Sequence, residues 1–336
     1  MKALMIGGTG NISLSVTKRL IASGWDVTLL NRGQSGVEVA GARSIVANIN
    51  DEKAVSDALR GQHYDTVAQF IAYESEDVLR DVRLFRGKTD QYIFISSASC
   101  YEKPPKSAFI SEKTPLVNPF WQYSRDKIAC EEALRAAGKD GFPLTIVRPS
   151  HTYGDRRLPV ALHGGSPWQV VKRMLAGKRV LIPGDGTSLW TLTHADDFAV
   201  GFTGLMGNQK ALDKAVHITS DESLTWNAIH ETIAEALGVS LRPLHVPSDL
   251  LSRVSRYDFR GTLLGDKANS VVFDNTLIKT LVPEYKAVIP FSEGVKRVLQ
   301  NYMEHPALQK EDPVFDAFCD RVEEKMEAVI RAFEAL

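Results

Sequence analysis

The chain has 336 residues, of which 44% are hydrophobic and 24% are charged, and its formal net charge is −1. These values are typical of globular proteins, and the balanced charge disfavours a nucleic-acid-binding surface. No apolar run reaches the roughly 18 residues that a membrane-spanning helix needs. Three cysteines without metal-ligand spacing, and a strand-like run that leaves no room for a signal peptide, predict a cytoplasmic chain with reduced thiols and no metal site.

Short apolar runs alternate with helical segments through the first part of the chain. The predicted strands are residues 3–6, 27–30, 44–47, 66–72, 92–95 and 144–147. The predicted helices are one that follows the first strand, with Val16 and Leu20 on one face, and residues 51–60, 76–85 and 125–137. The strands are continuously apolar rather than alternating, so both faces of the sheet should be covered. This pattern predicts a doubly wound, parallel α/β sheet.

Glycine and proline interrupt the pattern after residue 150. One clear helix remains, with Thr225 as its N-cap and Gly238 just past its end, and residues 315–336 also have helical periodicity. We therefore predict a smaller lobe that lies over the carboxyl edge of the sheet. Segments of this half are expected to return to the sheet.

A glycine-rich turn joins the first strand to the first helix. In this position a backbone free of side chains can approach a pyrophosphate, which then lies at the positive end of the helix. An ordinary turn with a capping glycine is the alternative, and three glycines within four positions argue against it. The third fingerprint position is Ser13, which is small enough for close packing. The residues predicted to contact the pyrophosphate are Gly7, Gly8, Thr9, Gly10, Asn11 and Ile12.

The end of the second strand carries Asn31 and Arg32, where an acidic residue would bind the ribose hydroxyl of NAD. Asn31 lacks the charge that would repel a 2′-phosphate, and Arg32 supplies one that attracts it. The sequence therefore favours NADP over NAD. The alternative is that Arg32 is a solvated loop residue.

Tyr123 and Lys127 stand one helical turn apart and so share a face of the predicted helix. A tyrosine titrates near pH ~10, which is too high for a base at neutral pH. A nearby ammonium and an oxidised nicotinamide ring would stabilise the phenolate and lower its pKa. A hydroxyl-rich stretch, Ser96 to Ser99, stands at the carboxyl end of the fifth strand. Ligands of an open α/β sheet bind at the carboxyl ends of its strands.

These features resemble the extended short-chain dehydrogenase/reductases, also called the NAD-dependent epimerase/dehydratase family. The resemblance rests on the glycine turn, the Ser-Ala-Ser-Cys-Tyr stretch, Tyr123-x-x-x-Lys127, Arg148-Pro149-x-x-x-Tyr153-Gly154, Ile182-Pro183-Gly184-Asp185-Gly186 and His194-Ala195-Asp196-Asp197. It implies a Rossmann-type fold in which residues 1–150 form the dinucleotide-binding domain and residues 151–336 mainly the substrate-binding lobe. It also implies three catalytic roles. Tyr123 is the general acid/base, Lys127 tunes it and orients the nicotinamide ribose, and Ser97, favoured over its neighbours Ser96 and Ser99, binds the reacting oxygen.

Departures from the family pattern narrow the reaction. Ala98 and Ser99 stand where dehydratases of the family carry an acidic pair, so epimerases and dehydrogenases are favoured. Trp190 replaces an arginine that pairs with a diphosphate in sugar-nucleotide epimerases, and His151 replaces an asparagine that contacts their substrate. Arg256, Arg260 and Arg297 are candidates for the lost phosphate contact. The predicted substrate residues are Tyr73, Ser99, His151 and Trp190, and Asn48 and Ala72 complete the cofactor set. The alternative for His151 and Trp190 is a packing role between the lobes.

The sequence favours an NAD(P)-dependent epimerase or dehydrogenase that acts on a sugar or nucleotide sugar. The alternative is an RNA-associated protein similar to the chloroplast stem-loop binding proteins, which have lost the full catalytic set. A redox sensor that binds the cofactor without turnover is a third possibility. The complete set of Ser97, Tyr123 and Lys127 argues against both. Similar proteins dimerise through two helices, here residues 76–85 and 123–137, so a homodimer is expected.

Overall fold

The computed structural model describes residues 1–34 and 36–336. Its strands, in chain order, are β1 Lys2–Ile6, β2 Asp26–Asn31, β3 Ala42–Val46, β4 Thr66–Gln69, β5 Tyr92–Ile95, β6 Phe109–Ile110, β7 Leu144–Pro149, β8 His151–Tyr153, β9 Val180–Pro183, β10 Leu189–Trp190, β11 Leu192–His194, β12 Ala215–Ile218, β13 Leu224–Thr225, β14 Pro243–Val246 and β15 Val272–Phe273. Seven of them form the central sheet, in the order β3-β2-β1-β4-β5-β7-β12. Every neighbouring pair in this sheet is parallel.

Helices cover the sheet and build the second lobe. The α-helices are α1 Ser13–Ala22, α2 Glu52–Ala58, α3 Ser75–Phe85, α4 Gln122–Lys139, α5 Trp168–Leu175, α6 Ala195–Leu205, α7 Trp226–Ala236, α8 Ser248–Ser252, α9 Thr276–Leu281, α10 Phe291–Glu304 and α11 Pro313–Glu334. Short 3₁₀ turns occupy Ala98–Cys100, Gln209–Ala211 and Pro306–Leu308, and a π-helix spans Arg260–Lys267.

Both faces of the sheet are covered, as the continuous apolar strands predicted. One face packs under α1, α6 and α9 through residues such as Leu20, Phe202 and Ile278. The other face packs under α2, α3 and α4 through residues such as Val55 and Leu134. The predicted doubly wound sheet of Rossmann type is therefore confirmed.

Two features of the sheet differ from the predicted strands. β4 ends at Gln69 rather than at residue 72, because the Gln69 side chain accepts a hydrogen bond of 2.8 Å from the Ile71 amide and turns the chain. The seventh strand, β12, comes from the second half of the chain and pairs with β7, with Val216 opposite Val147. A segment beyond residue 150 is thus part of the central sheet.

The second lobe has its own core of buried aromatic and aliphatic side chains, among them Trp168, Ile182, Trp226 and Phe315. The predicted helix after Thr225 is confirmed as α7, and the Thr225 hydroxyl accepts a hydrogen bond of 3.1 Å from the Ala228 amide. The predicted terminal helix is confirmed as α11. The lobe faces the carboxyl ends of β5 and β7, and a cavity of about 540 Å³ lies between them.

Candidate active site

The glycine turn between β1 and α1 is shaped by Ser13 as much as by its glycines. The Ser13 hydroxyl accepts a hydrogen bond of 2.8 Å from the Gly10 amide and donates one of 2.6 Å to the Gly7 carbonyl. Gly7 has a φ of 80°, and a Cβ there would lie 2.5 Å from the Ile71 side chain. Serine at the third fingerprint position therefore fastens the turn.

The start of α1 suits the pyrophosphate of a dinucleotide. Its N-cap, Ile12, provides no side-chain cap, and the first turn contains no acidic residue. Uncapped amides and the helix dipole favour an anion at this point. Asn11 donates a hydrogen bond of 3.3 Å to the Thr152 carbonyl and ties the turn to β8, and Ile12 lines the cavity. The residues present therefore fit the phosphates of such a cofactor.

The residues predicted for the adenosine end lie beside this turn. Asn31 ends β2, and its side chain accepts a hydrogen bond of 2.9 Å from the Gly33 amide. Arg32 is exposed, and no hydrogen bond or ion pair joins its side chain to the described residues. Asn48 is exposed after β3 and accepts a hydrogen bond of 3.2 Å from the Asn50 amide. Arg32 is thus available to a ligand, whereas Asn31 also shapes the turn.

The three predicted catalytic residues line the same cavity. Ser97 follows β5, and Tyr123 and Lys127 lie in the first turns of α4. Burial raises the pKa of Tyr123 above its ordinary value, and the nearby Ser97 side chain opposes this effect. An added positive charge, such as that of an oxidised nicotinamide, is what would favour the phenolate.

Lys127 is held by neutral groups rather than by a carboxylate. Its ammonium donates hydrogen bonds of 2.7 Å to the Ala72 carbonyl and 2.8 Å to the Ile95 carbonyl. Burial lowers the pKa of Lys127 to about 8. Its nitrogen lies 5.9 Å from the centre of the Tyr123 ring and 4.8 Å from that of Tyr73, which is 51% exposed. Ala72 and Tyr73 thus border the lysine, at the end of β4.

The serines after β5 have different partners. Ser96 is buried and donates a hydrogen bond of 2.6 Å to Glu131. The Ser97 hydroxyl lies 2.8 Å from the Ser99 hydroxyl, which accepts a further bond of 2.8 Å from Ser124. Ser97 is more exposed than either neighbour, and its side chain lowers the pKa of Tyr123, so its surroundings support its choice over Ser96 and Ser99.

His151 and Trp190 lie together on the lobe side of the cavity. The Trp190 indole donates a hydrogen bond of 3.2 Å to Nδ1 of His151 and packs 5.5 Å from the Trp226 ring. Trp190 is only 2% exposed, so most of its surface packs in the lobe core. Burial holds the pKa of His151 well below its usual range. His151 therefore presents a neutral imidazole to the cavity.

Charged residues that the sequence analysis did not single out also line this wall. The Lys103 ammonium lies 4.0 Å from the Asp266 carboxylate, and burial raises the pKa of Asp266 to about 6. Lys267 donates a hydrogen bond of 2.9 Å to the Ala161 carbonyl, and burial lowers its pKa to about 8. Arg157 also lines the cavity. No motif marks these residues, and only the tertiary fold brings them together.

The three arginines considered as replacements for a phosphate contact are not part of the cavity lining. Arg297 lies 3.8 Å from Asp196, and Arg260 lies over the Phe120 ring at 5.5 Å. Cations do line the cavity, but they come from other positions of the chain.

No helix within the described residues is long and apolar enough to cross a membrane.

Known proteins resemble the chain in sequence and fold. The model of the NAD dependent epimerase/dehydratase family matches residues 76–218. A 2′-dehydrokanamycin reductase from Streptomyces kanamyceticus is 27% identical over 85% of this chain and 80% of its own length. The chloroplast stem-loop binding protein of 41 kDa b from Arabidopsis thaliana is 26% identical over 70% of this chain and 63% of its own length.

A solved structure confirms the fold over nearly the whole chain. The crystal structure of UDP-glucuronic acid 4-epimerase from Bacillus cereus, in complex with UDP-glucuronic acid and NAD, matches with a TM-score of 0.73. The two chains are 20% identical, and the match covers 90% of this chain and 99% of the epimerase. Together, these matches confirm the resemblance predicted from the motifs and the prediction of an enzyme.

Proposed function

We propose that the chain is a member of the NAD-dependent epimerase/dehydratase family, whose model matches residues 76–218, and that it transfers hydride at a secondary alcohol of a sugar or nucleotide sugar, as an epimerase or a dehydrogenase. The observation that carries the proposal is the meeting of Ser97, Tyr123 and Lys127 in one cavity, beside a glycine turn that fits a dinucleotide. The relative named 2′-dehydrokanamycin reductase supports a reaction of this kind.

Each catalytic side chain has a role in this reaction. A bound nicotinamide cofactor supplies the site that accepts and returns the hydride. In the oxidation direction, Tyr123 takes the hydroxyl proton while the carbon-bound hydrogen leaves as hydride, and the substrate becomes a ketone. Ser97 donates a hydrogen bond to the substrate oxygen, and Lys127 keeps its positive charge beside Tyr123 and the ribose. In the reverse direction, Tyr123 returns the proton to the oxygen.

The end of β2 suits a cofactor that carries a 2′-phosphate. Arg32 lies exposed at the end of β2, and the position lacks an acidic residue that would repel a 2′-phosphate. We therefore propose a preference for NADP over NAD. The turn residues 7–12, with Asn31, Arg32, Asn48 and Ala72, form the proposed cofactor site.

The proposed division of labour follows the two lobes. Residues 1–150 bind the cofactor, and residues 151–336 mainly shape the substrate site while returning β12 to the sheet. Tyr73, Ser99, His151 and Trp190 are the proposed substrate-side residues, and all of them line the cavity.

We also propose that the protein is a cytoplasmic homodimer. The three cysteines are buried and unpaired, which suits a reducing compartment. The two helices α3 and α4 lie side by side, and Leu79 of α3 is 39% exposed. Light scattering on the purified protein should give twice the chain mass, and Leu79→Lys should shift it toward the monomer.

The first test identifies what the purified protein holds. Denatured protein should release NADP(H) or NAD(H), or the folded protein should take up added NADPH. Tightly held NAD would favour an epimerase that regenerates its cofactor in each cycle, and an empty site that takes up NADPH would favour a reductase. Release of RNA without any dinucleotide would contradict the proposal.

The second test removes the proposed acid/base. The probe substrates are UDP-glucose, UDP-glucuronic acid and 2′-dehydrokanamycin. Each is assayed with both cofactors. Tyr123→Phe should lower kcat at least about 10²-fold and leave cofactor binding unchanged. Tyr285→Phe is the matched control, because its buried hydroxyl donates to the Thr219 carbonyl outside the cavity. Turnover of the wild-type kind in Tyr123→Phe would contradict the assignment.

A further inference from the structure

We propose that Ser99 and Ser124 are positioning residues, which form a chain of hydroxyl groups that fixes the Ser97 hydroxyl as a donor to the reacting oxygen. This inference rests on the proposed function. It gives Ser124, which none of the motifs identifies, a part in the reaction. It also gives Ser99 a role besides substrate contact.

We assign one direction to the hydrogen bonds of this chain of hydroxyl groups. Ser124 donates a hydrogen bond of 2.8 Å to the Ser99 hydroxyl. The Ser97 oxygen lies 2.8 Å from the Ser99 oxygen, and either hydroxyl can donate this bond. We infer that Ser99 donates it, because Ser99 already accepts from Ser124 and its own hydrogen is free to bond Ser97. The Ser99 amide also donates to the Ser97 oxygen, over 3.2 Å. With this direction the Ser97 oxygen accepts two hydrogen bonds, and its own hydrogen remains for Tyr123 or for a substrate oxygen.

The surrounding contacts hold this chain in place. Ser124 is fully buried, and Ser99 is 4% exposed, so water does not compete for their hydroxyl groups. The Asn118 side chain donates a hydrogen bond of 2.8 Å to the Ser99 carbonyl and one of 2.7 Å to the Gly265 carbonyl. These two bonds join the serine loop to the π-helix. The Cys100 thiol contacts the Ser124 carbonyl at 3.6 Å. Both ends of the chain are therefore anchored.

The arrangement should act on the transition state more than on binding. When hydride adds to a ketone, negative charge develops on the oxygen that Ser97 contacts. Hydrogen bonds in a buried chain polarise one another, so two bonds accepted by Ser97 make its hydroxyl a stronger donor. Donors aimed at developing charge lower the barrier. Loss of the chain should therefore reduce kcat and leave KM nearly unchanged.

Ser124→Ala tests the chain, with the probe substrates and cofactors of the previous section. One hydrogen bond contributes about 0.5–1.5 kcal/mol, so kcat should fall about two- to twelvefold, and KM should stay within about twofold. The limb of the kcat/KM profile that reports Tyr123 in the free enzyme should also move to higher pH, because a weaker Ser97 donor stabilises the phenolate less. Ser220→Ala, a buried serine outside the cavity, is the matched control.

A double-mutant cycle separates a connected chain from two independent contacts. Ser99→Ala already breaks the path from Ser124 to Ser97, so adding Ser124→Ala should cost less than about a further twofold in kcat. Losses that multiply would overturn the proposal, and so would a Ser124→Ala enzyme with unchanged kcat and pH profile. If Tyr123→Phe abolishes turnover while Ser124→Ala does not alter it, only this inference fails. Unaltered turnover in Tyr123→Phe overturns the proposed function instead.

Discussion

The indole N–H of Trp190 donates a hydrogen bond of 3.2 Å to Nδ1 of His151. Because Nδ1 accepts this bond, the hydrogen of the neutral imidazole is on Nε2. Burial holds the pKa of His151 well below its usual range, so the ring stays neutral at working pH. His151, held by Trp190, is therefore suited to donate a hydrogen bond from Nε2 to a substrate. It is not suited to exchange protons with the substrate.

Trp190→Phe should separate the hydrogen bond from the packing. The phenyl ring keeps the contact with Trp226 but leaves Nδ1 of His151 without its donor. We expect KM to rise about two- to tenfold with a smaller change in kcat, because the imidazole can then turn or change tautomer. Steady-state kinetics with each probe substrate measures this split. An unchanged KM would show that the tautomer has no part in binding.

Arg32→Ala tests the cofactor preference. The exposed guanidinium follows β2, where a 2′-phosphate would lie, and charge-assisted bonds of this kind contribute about 1.5–3 kcal/mol. We expect the Kd for NADPH to rise at least about tenfold, while that for NADH changes less than about twofold. Fluorescence titration measures both constants. Arg43→Ala, which removes an exposed ion pair with Asp26, is the control. Equal effects on both cofactors would contradict the preference.

The sequence predicted those parts of the site that are close together in the chain. The glycine turn joins β1 directly to α1, and Tyr123 and Lys127 share one helical turn, so local periodicity was sufficient. The predicted strand over residues 66–72 was too long, because a side-chain bond from Gln69 turns the chain and no propensity reveals that bond.

Other parts of the site depend on contacts between distant segments. Lys103 follows the 3₁₀ turn after β5, whereas Asp266 lies in the π-helix, so only the tertiary fold brings the two side chains to 4.0 Å. Neither residue stands in a recognisable motif. Ser124 is next to a predicted catalytic residue. Its proposed role nevertheless depends on its hydrogen bond to Ser99, which the 3₁₀ turn after β5 places beside it. Sequence patterns do not report such pairings, since tertiary packing decides them.

Lys127 should give the protein a distinctive stability profile in alkaline solution. Its pKa in the folded protein is about 8, below the value of about 10.4 for an unfolded chain. Between these values the unfolded chain binds the proton and the folded protein releases it, so stability rises with pH in this window. The contribution is at most about 3 kcal/mol.

Urea unfolding of wild type and Lys127→Met across this window measures the effect. The stability of wild type relative to the variant should rise from pH ~8 to pH ~10 and should be lowest below pH ~8. Lys139→Met, an exposed lysine at the end of the same helix, serves as the control for the substitution. A difference that does not depend on pH would contradict the burial of the Lys127 charge.

Asp266 should produce the opposite dependence in acid. Burial raises its pKa to about 6, whereas an unfolded aspartate titrates near ~3.9, so the folded protein keeps the proton longer. Stability from this group is present below pH ~4 and is lost as pH rises through about 6. The loss amounts to at most about 3 kcal/mol, and the Lys103 ammonium at 4.0 Å already offsets part of it.

Asp266→Asn removes this ionisation while keeping the shape of the side chain. The variant should gain stability relative to wild type between pH ~4 and pH ~7, and the gain should level off above that range. Asp249→Asn, an exposed carboxylate paired with Arg253 on α8, controls for the substitution itself. Because the carboxylate lies in the cavity wall, a substrate that binds Asp266 should also have a higher KM with the variant. A stability difference that is flat with pH would show that Asp266 is not held in a buried, poorly solvated position.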